Sequence, residues 1–418
     1  MIIELVNTGS ELMLGRVLNT HQQWLCRKLA DLGYIVSRQV AVPDTGEAIA
    51  AAVGEALSRS DLVITTGGLG PTSDDLTRDR IAAMLGLKLQ EDPAIVAHIS
   101  RFFESRNRPM PASTRVQALV PEGAQVLENP NGTAPGLALE VKPNPFRGGA
   151  PSWLVMLPGP PRELRPMFTD AVVPLLHRVL PAEVFVCRTL RAVGIGESVV
   201  EERVAGPLDP LVHAGLELGY CARPGQVDVR ISAHGAGAQG LVSQAEAIVR
   251  ERLDKFIYGS ADEDIESTIV DLLTRRGETL AVAESCTGGC IAHRITNVPG
   301  SSVVFLAGWV TYSNAAKQRF LGVRTETLEA HGAVSEQVAR EMAEGARTGI
   351  GSNYAISVTG IAGPGGGSED KPVGTVFIGL VGPFETVVER RFNPFDRETF
   401  KQVTAQGALD LLRRKIPT

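Results

Sequence analysis

The segment Ala283–Gly289 reads Ala-Glu-Ser-Cys-Thr-Gly-Gly and stands where an apolar stretch gives way to a predicted helix. A strand-to-helix turn lifts a side chain to the carboxyl end of the strand, and the next helix offers unpaired N–H groups and the positive end of its dipole. Ser285 in this setting is a candidate nucleophile, and the helix end is a candidate anion site. The same residues also fit a turn of small residues whose serine caps the helix.

Two later segments supply the partners that a nucleophilic serine needs. Tyr312–Lys317 ends one predicted strand, and the glycine-rich run Thr359–Gly367 ends another. None of the seven histidines lies in these motifs, although His293 and His331 lie in the same region. Lys317 is therefore the candidate base, and its pKa would have to fall from ~10.4 to about 7–8 for the amine to accept a proton near neutral pH. The alternative is a solvated lysine near a helix start.

A second group of chemistry-bearing residues follows the strand predicted at Asp61–Thr66. The run Gly67–Thr77 contains three glycines, whose amides can approach an anion closely, and the adjacent carboxylates Asp74 and Asp75. Two carboxylates beside an anion need a positive charge between them, which a divalent cation would provide. The alternative is that one of the aspartates caps the following helix.

Two further loops are expected beside this glycine-rich run, Thr8–Glu11 after the first strand and Asn129–Gly136. The carboxyl ends of strands in one parallel sheet share an edge, so these loops are predicted to converge on one ligand. A P-loop ending in Gly-Lys-Ser/Thr is absent, which argues against an ordinary ATPase.

The elements that position these loops alternate between strands and helices in the first part of the chain, which indicates a βαβαβ order and a parallel sheet with covered faces. Strands are predicted at Ile2–Val6, Ile35–Val40, Leu62–Thr66, Gly136–Val141 and Trp153–Leu157, helices at Thr20–Leu32 and Ala48–Leu57, and a loop at 142–151.

The rest of the chain divides at the acidic stretch Ala261–Asp264. Before it, the patterns predict a smaller unit with strands at Val184–Val193 and Gln226–His234 and a helix at Leu241–Phe256. After it they predict a second α/β segment, with helices at Ile265–Arg275 and Arg397–Arg414 and strands at Thr279–Ala283, Val303–Tyr312, Tyr354–Thr359 and Val373–Val381.

Composition limits the class of protein. A chain of 418 residues is expected to form two or three cores, and 44% hydrophobic and 21% charged residues fit a soluble α/β protein. The net charge of −6 argues against a general nucleic-acid binder. We expect no membrane span, because no apolar run reaches about 18 residues, and no signal peptide. The five scattered cysteines suit reduced thiols in the cytoplasm.

Two sequence patterns give only weak support for a ligand site. Gly235–Gly240 matches the dinucleotide-binding fingerprint, but no substantial second strand with an acidic end follows its helix, so a spacer is preferred to an NAD site. Cys286 and Cys290 lie one helical turn apart, and without further Cys or His nearby they are expected to pack rather than bind metal.

Taken together, these motifs resemble the CinA family over nearly the whole chain. The runs Thr8–Glu11, Thr66–Thr77 and Leu157–Leu164 resemble its molybdopterin-binding-like domain. The runs Ala283–Gly289, Tyr312–Lys317, His331–Ser335 and Thr359–Gly366 look like its nicotinamide mononucleotide deamidase domain.

The resemblance implies an α/β chain of three domains. These would be a three-layer molybdopterin-binding-like pyrophosphatase domain at 1–171, a small α+β KH-like domain at 172–260 and a three-layer α/β amidohydrolase domain at 261–418. It also implies a cytoplasmic homodimer with small-molecule nucleotide partners. Neither a membrane nor a nucleic acid is an expected partner.

The family's site residues carry over one by one. Ser285 is the implied nucleophile and Lys317 its base, with Tyr312, Thr359 and Arg397 supporting them; Arg397 follows Asn393–Asp396, where Phe395 departs from the family's usual glycine. Expected substrate contacts in this domain are Cys286, Thr287, Gly288, Gly360, Gly363, Gly365 and Gly366. Expected contacts in the first domain are Thr8, Gly9, Glu11, Gly67, Gly68, Gly70, Thr72, Asn131, Gly132 and Thr133, with metal at Asp74 and Asp75.

The implied function is bifunctional. One site would convert nicotinamide mononucleotide to nicotinic acid mononucleotide and ammonia without a cofactor. The other would use Mg²⁺, Mn²⁺ or Co²⁺ to split ADP-ribose into AMP and ribose 5-phosphate. The alternatives are a nucleotide-sensing binding protein linked to competence and DNA recombination, and a pterin-binding module.

Overall fold

The computed structural model describes residues 1–180, 184–260 and 263–417. The chain forms two compact units, Met1–Phe185 and Val186–Thr418. Ala261 and Asp262 of the predicted acidic boundary lie outside the described residues. The finer division into three domains stays a prediction.

The first unit is a mixed sheet between helices. Its strands are β1 (Ile3–Thr8), β2 (Arg38–Val42), β3 (Leu62–Thr66), β4 (Leu89–Glu91), β5 (Leu119–Pro121), β6 (Gln125–Leu127), β7 (Gly136–Val141) and β8 (Ser152–Leu157). Its helices are α1 (Ser10–Met13), α2 (Thr20–Asp31), α3 (Gly46–Leu57), α4 (Thr77–Leu85), α5 (Pro93–Glu104), α6 (Pro161–Met167) and α7 (Val173–Val179).

The main sheet of this unit has the order β2-β1-β3-β8-β7-β6, and β4 pairs with β5 separately. β2, β1, β3 and β8 are parallel, as the alternating pattern predicted, whereas β7 runs antiparallel to β8. Leu137 at the start of β7 pairs with Met156 near the end of β8. The loop before β7 therefore reaches the carboxyl edge because β7 is antiparallel to β8, and not because it follows a parallel strand.

Successive side chains of the central strands pack alternately into two hydrophobic cores, one on each face of the sheet. On β3, Leu62 and Ile64 join the cluster that includes α2, α6 and α7, and Val63 joins the cluster that includes α3 and α4. Tyr34 is fully buried and its hydroxyl donates to the Leu180 carbonyl. This segment is a packed loop, so β2 begins at Arg38 and the strand predicted from residue 35 was placed too early.

The second unit contains two sheets. Around the middle sheet are β9 (Phe185–Val193), α8 (Glu197–His213), β10 (Leu216–Arg223), β11 (Gln226–His234), α9 (Ala238–Leu253) and β12 (Ile257–Ser260). Around the last sheet are α10 (Ile265–Arg276), β13 (Leu280–Glu284), α11 (Cys290–Thr296), β14 (Phe305–Val310), α12 (Asn314–Leu321), α13 (Thr325–His331), α14 (Glu336–Ile350), β15 (Tyr354–Gly360), β16 (Thr375–Val381), β17 (Thr386–Phe392) and α15 (Arg397–Lys415).

The middle sheet has the order β10-β11-β9-β12, with α8 and α9 packed in its core. Gly235–Gly240 lies between β11 and α9, and β12 pairs antiparallel with β9. A dinucleotide site of the usual kind needs the strand after the helix to lie beside the strand before it, whereas β11 and β12 are separated by β9 in this sheet, so the spacer interpretation is favoured.

The last sheet has the order β14-β13-β15-β16-β17, in which β14, β13 and β15 are parallel and the other two antiparallel. Val282 faces a core with α10, α11 and α15, and Ala281 and Ala283 face a core with α14. The carboxyl ends of β13, β14 and β15 thus share one edge. Across the described residues, no helix is long and apolar enough to cross a membrane.

The turn between β10 and β11 rests against α15. Gly225 in this turn has φ +77°, and a Cβ there would lie 3.2 Å from the Cβ of Gln406 and 3.4 Å from the Cα of Val403. The Gln406 amide donates to the Gln226 side-chain oxygen at 3.4 Å, and Arg413 donates to the Lys255 carbonyl at 2.6 Å. Helix α15, which packs against the last sheet, therefore also contacts the middle sheet.

Candidate active sites

Ser285 lies directly after β13 and is almost buried, with 8% of its surface exposed. Its N–H donates to the Val358 carbonyl of β15 at 3.0 Å, which fixes the residue against the neighbouring strand. The turn then passes through Gly288 (φ +61°) and Gly289 (φ +92°) before α11 begins at Cys290. Both glycines adopt the left-handed conformation that a β-carbon disfavours.

Lys317 lies on α12, the helix after β14, and its side chain contacts Ser285. Ser313 caps α12 by accepting from the Ala316 N–H, and one turn into the helix the Lys317 side chain points inward, with 1% exposed. Its Nζ lies 3.1 Å from Ser285 Oγ and 2.8 Å from the Thr311 carbonyl. Burial lowers the pKa of Lys317, and no carboxylate of the described residues lies within ion-pair distance of its Nζ. The alternative of a solvated lysine is wrong.

The Glu284 carboxylate accepts hydrogen bonds from backbone N–H groups at the start of α11, a role that the sequence did not predict. It is buried and accepts from the N–H groups of Gly289 at 3.0 Å, Ile291 at 3.1 Å and Ala292 at 2.9 Å. Two expectations are corrected. Ser285 is not the cap of α11, since the capping position is Gly289, and the end of this helix is not free for a ligand anion because a protein carboxylate already occupies it.

Arg397 and Tyr312 meet at the same edge of the sheet. Arg397 is the first residue of α15, which Asp396 caps through the Glu398 and Thr399 N–H groups. Its guanidinium donates to the Tyr312 hydroxyl at 2.7 Å and to the Gly363 carbonyl at 2.8 Å. The structure thus joins three of the implied residues, although Phe395 replaces the usual glycine.

Thr359 and the glycine-rich loop have different surroundings. The Thr359 hydroxyl is buried and donates to the Ala333 carbonyl at 2.7 Å, so it ties the 331–335 segment to β15. Gly360 packs against β16, whereas Gly365 and Gly366 are exposed. No hydrogen bond of the described residues connects Gly365 or Gly366 to Ser285 or Lys317.

The residues directly after the serine are buried. Burial raises the pKa of the Cys286 thiol to about 12, which leaves it protonated and unreactive. The backbone N–H groups of Cys286 and Thr287 donate to no backbone carbonyl of the described residues, and the acceptor beside them is the weakly accepting Cys286 sulfur. Cys290 packs against the core, and no group of three metal-binding side chains occurs in the described part of the chain.

A pocket of about 370 Å³ opens at the carboxyl edge of the first sheet. It brings together all three loops that were predicted to converge there. Its lining consists of Thr8, Gly9, Glu11, Asp44, Gly67, Gly68, Leu69, Gly70, Pro71, Asp74, Asp75, Gln117, Thr133, Ala134, Pro158, Gly159, Pro160 and Glu163. Five of these side chains are carboxylates and none is Lys, Arg or His.

Asp74 and Asp75 hold the glycine-rich loop rather than α4. Both carboxylates lie within hydrogen-bond distance of the Thr72 hydroxyl, and Asp75 also accepts from the Thr72 N–H at 2.9 Å. The capping position of α4 is Leu76 without a side-chain cap, so the capping alternative is wrong. The Thr72 hydroxyl lowers the pKa of Asp74, and a Cβ at Gly70 would overlap the Asp75 carboxylate.

Glu163 forms the opposite wall and was not foreseen as a site residue. It is nearly buried and accepts from the Asn129 amide at 2.8 Å. Asn131 donates its N–H to the Asn129 side chain, and Gly132 packs against Glu163, where a β-carbon would overlap the carboxylate. Three predicted contact residues therefore do not line the pocket but support the residues that do: Thr72, Asn131 and Gly132. Asp44 and Gln117, also unforeseen, line it from the loop before α3 and from the short 3₁₀ helix Ala112–Ala118, neither of which carries a site motif.

The donor set of this pocket fits a divalent cation. Two adjacent carboxylates converge on one hydroxyl, and Mg²⁺ is commonly held by one or two carboxylates together with substrate phosphates and water. The described residues contain no cage of three metal-binding side chains, so the protein alone would supply only part of the coordination.

Comparison with known proteins gives consistent assignments along the chain. Three family profiles match, described as a probable molybdopterin binding domain over residues 4–178, the damage-inducible protein CinA KH domain over 187–259, and the CinA C-terminal domain over 262–416. The predicted α/β fold class, with a KH-like middle part, is confirmed.

Individual relatives cover the full length. A protein from Moorella thermoacetica named for competence-damage induction is 45% identical over 420 residues, which are 100% of this chain and 99% of that protein. A CinA-like protein from Akkermansia muciniphila is 44% identical over 421 residues, with 99% and 98% covered. The solved structure of a competence/damage inducible protein, CihA, from Agrobacterium tumefaciens is 43% identical, covers 36% of this chain and 92% of its own, and has a TM-score of 0.35. The two full-length relatives are 45% and 44% identical to this chain, and on that identity the chain belongs to the CinA family.

Proposed function

We propose that the carboxy-terminal site hydrolyses the carboxamide of nicotinamide mononucleotide to nicotinic acid mononucleotide and ammonia. The observation that carries this proposal is the buried contact of 3.1 Å between Ser285 Oγ and Lys317 Nζ. Burial lowers the pKa of the lysine, as a general base requires, and a serine with a base at hydrogen-bond distance is the arrangement of a nucleophile.

The proton path follows from this contact. Ser285 Oγ attacks the amide carbon while its proton passes to the neutral Lys317 amine. The resulting ammonium protonates the amide nitrogen, which leaves as ammonia and gives an acyl-serine ester. Lys317 then takes a proton from water, the water oxygen attacks the ester carbon, and the proton returns to Ser285 as the acid is released. The Thr311 carbonyl accepts from Nζ and orients its lone pair toward the serine.

The oxyanion formed in both steps needs donors beside Ser285. The N–H groups of Cys286 and Thr287 suit this role, because they follow the nucleophile directly and no backbone carbonyl of the described residues accepts from them. A donor of this kind typically contributes about 2.7–4 kcal/mol to transition-state stabilisation.

The experiment is ammonia release from nicotinamide mononucleotide by the full chain. Ser285→Ala and Lys317→Ala should each abolish release, and Ser302→Ala, which removes an exposed hydroxyl of the same domain, should retain it. Release at the parent rate by Ser285→Ala would refute the proposal. Absence of release from the parent protein, together with tight nucleotide binding, would favour a nucleotide sensor.

For the amino-terminal pocket, the proposed reaction is metal-dependent hydrolysis of ADP-ribose to AMP and ribose 5-phosphate. Five carboxylates and no basic side chain line the pocket, so a diphosphate would meet net repulsion unless a cation entered with it. Asp74 and Asp75 are the residues that would hold Mg²⁺, Mn²⁺ or Co²⁺. Such an ion, when bound, would polarise the diphosphate and lower the pKa of water.

The glycine amides of the Gly67–Gly70 loop would position the phosphates. The buried Glu163 carboxylate, held by Asn129, would accept the proton of the attacking water from the opposite wall. ADP-ribose turnover should require added divalent metal and vanish in Asp75→Asn, with the exposed Asp31→Asn as the matched control. Turnover in excess chelator would contradict this assignment, and a fluorescent pterin that copurified with the protein would favour the pterin-binding alternative.

A further inference from the structure

The carboxy-terminal site lacks the anion-binding element that its strand-to-helix turn suggested. Three N–H groups at the start of α11 donate to Glu284, and the exposed Gly365 and Gly366 have no hydrogen bond to the catalytic pair among the described residues. A negatively charged part of a substrate would therefore need another partner near the turn.

Lys401 supplies a positive charge at this turn. It lies on α15, half-buried, and its Nζ is 3.7 Å from the position that a β-carbon of Gly288 would occupy. Gly288 is three residues from the nucleophile. In the described part of the chain, Lys401 has no hydrogen bond and no carboxylate within ion-pair distance. Its three N–H donors are available beside the site.

Arg397 stands one helical turn before Lys401 and on the same face of α15, since residues four apart are neighbours on a helix. Its guanidinium is partly used by Tyr312 and by the Gly363 carbonyl, which fix its direction. The two cations thus project from one helix, with Lys401 beside the Gly288 turn and Arg397 anchored to Tyr312 and Gly363.

We infer that Lys401, assisted by Arg397, binds a phosphate monoester group on the amide substrate of the Ser285 site. This inference rests on the proposed amide hydrolysis and adds a specificity-determining residue, Lys401, that would distinguish a phosphorylated amide from an unphosphorylated one. A lysine ammonium binds phosphate as a compact point charge, and an anchored arginine adds directed N–H donors. A packing role would use only the aliphatic stem of Lys401 and would leave its charge irrelevant.

The test is isothermal titration of the full chain with nicotinic acid mononucleotide, nicotinic acid riboside and inorganic phosphate. Lys401→Met keeps the stem and removes the charge, Lys401→Arg restores a charge, and Lys371→Met is the control, since the Lys371 ammonium already donates to the His331 carbonyl. The parent and the control should bind the mononucleotide about 10- to 100-fold tighter than the riboside. Lys401→Met should lose most of that preference and Lys401→Arg should retain it.

The outcomes separate this inference from the proposed reaction. A preference that Lys401→Met retains, or a parent protein without any preference, overturns the inference even if ammonia release is observed. A preference lost in Lys401→Met supports it even if no ammonia is released, in which case the reaction alone fails. Binding of inorganic phosphate as tight as that of the mononucleotide would identify a free-phosphate site and overturn the substrate role.

Discussion

Replacement of Glu284 by glutamine tests whether this buried carboxylate builds the nucleophile turn. One carboxylate oxygen accepts from Gly289 and Ile291, and the other accepts from Ala292. A glutamine keeps a single carbonyl oxygen, and its NH₂ group must then face at least one N–H donor. The variant removes the charge from all three hydrogen bonds and leaves at least one buried N–H without an acceptor.

The cost can be estimated from these contacts. Loss of a charge-assisted bond and one unsatisfied buried N–H together amount to about 2–4 kcal/mol. Hydrogen exchange at the three amides should therefore accelerate by about 30- to 700-fold in Glu284→Gln, since each 1.4 kcal/mol is a factor of ten. Amide hydrolysis should fall mainly in kcat, because Ser285 follows Glu284 directly and loses its fixed position.

Glu266→Gln is the matched control. Glu266 also contacts α11, but through the Arg294 side chain at 2.7 Å and not through backbone N–H groups. Exchange at the start of α11 should change little in this variant. Equal protection of the three amides in Glu284→Gln and the parent protein would contradict this role of the Glu284 carboxylate, and so would acceleration of the same size in Glu266→Gln.

Three further predictions concern other features of the two sites. The kcat/KM for the amide substrate should rise with pH through the lowered pKa of Lys317 and level off above it, because only the neutral amine accepts the serine proton; a rate that falls over this range would contradict the assignment of the base. Iodoacetamide at pH 8 should modify the exposed Cys221 and leave Cys286 intact, since the Cys286 pKa of about 12 suppresses its thiolate; mass spectrometry of tryptic peptides distinguishes the two. Gly70→Ala should abolish metal-dependent ADP-ribose turnover, because the new methyl group overlaps a pocket carboxylate, whereas Gly206→Ala, with open space around it, should not; full turnover by Gly70→Ala would show that this loop is not part of the site.

The sequence was most informative where local patterns determine structure. Strand-end residues such as Ser285 and Lys317 could be placed together, because three parallel strands share one edge and the motifs follow each of them directly. The resemblance added Tyr312 and Arg397, which the structure joins by a hydrogen bond. Their chemical roles stay predictions.

The sequence was least informative where side chains act across distant elements. The contacts of Glu284 and Lys401 depend on how α11 and α15 pack. Glu284 lies in the Ala283–Gly289 motif, but that motif does not indicate which N–H groups its carboxylate accepts from, and Lys401 lies in no pattern that signals a site. In the middle part, α8 escaped prediction because Pro207 and Pro210 lie inside the helix, where proline normally breaks a helical pattern. β10 escaped because most of its residues are exposed and show little apolar alternation.

The contact of the β10–β11 turn with α15 has a thermodynamic consequence. Arg294 on the helix after the nucleophile turn donates to Gln406 at 2.7 Å, Gln406 donates to Gln226, and Tyr258 of the middle sheet also donates to Gln226. Gln406 lies on the same helix as Arg397 and Lys401, so a ligand of the middle sheet that moved α15 through this contact would change the affinity of the proposed amide site, and linkage would make the effect reciprocal. The helix that carries the proposed anion contacts is thus also held by a second sheet, which contributes no residue to the candidate site.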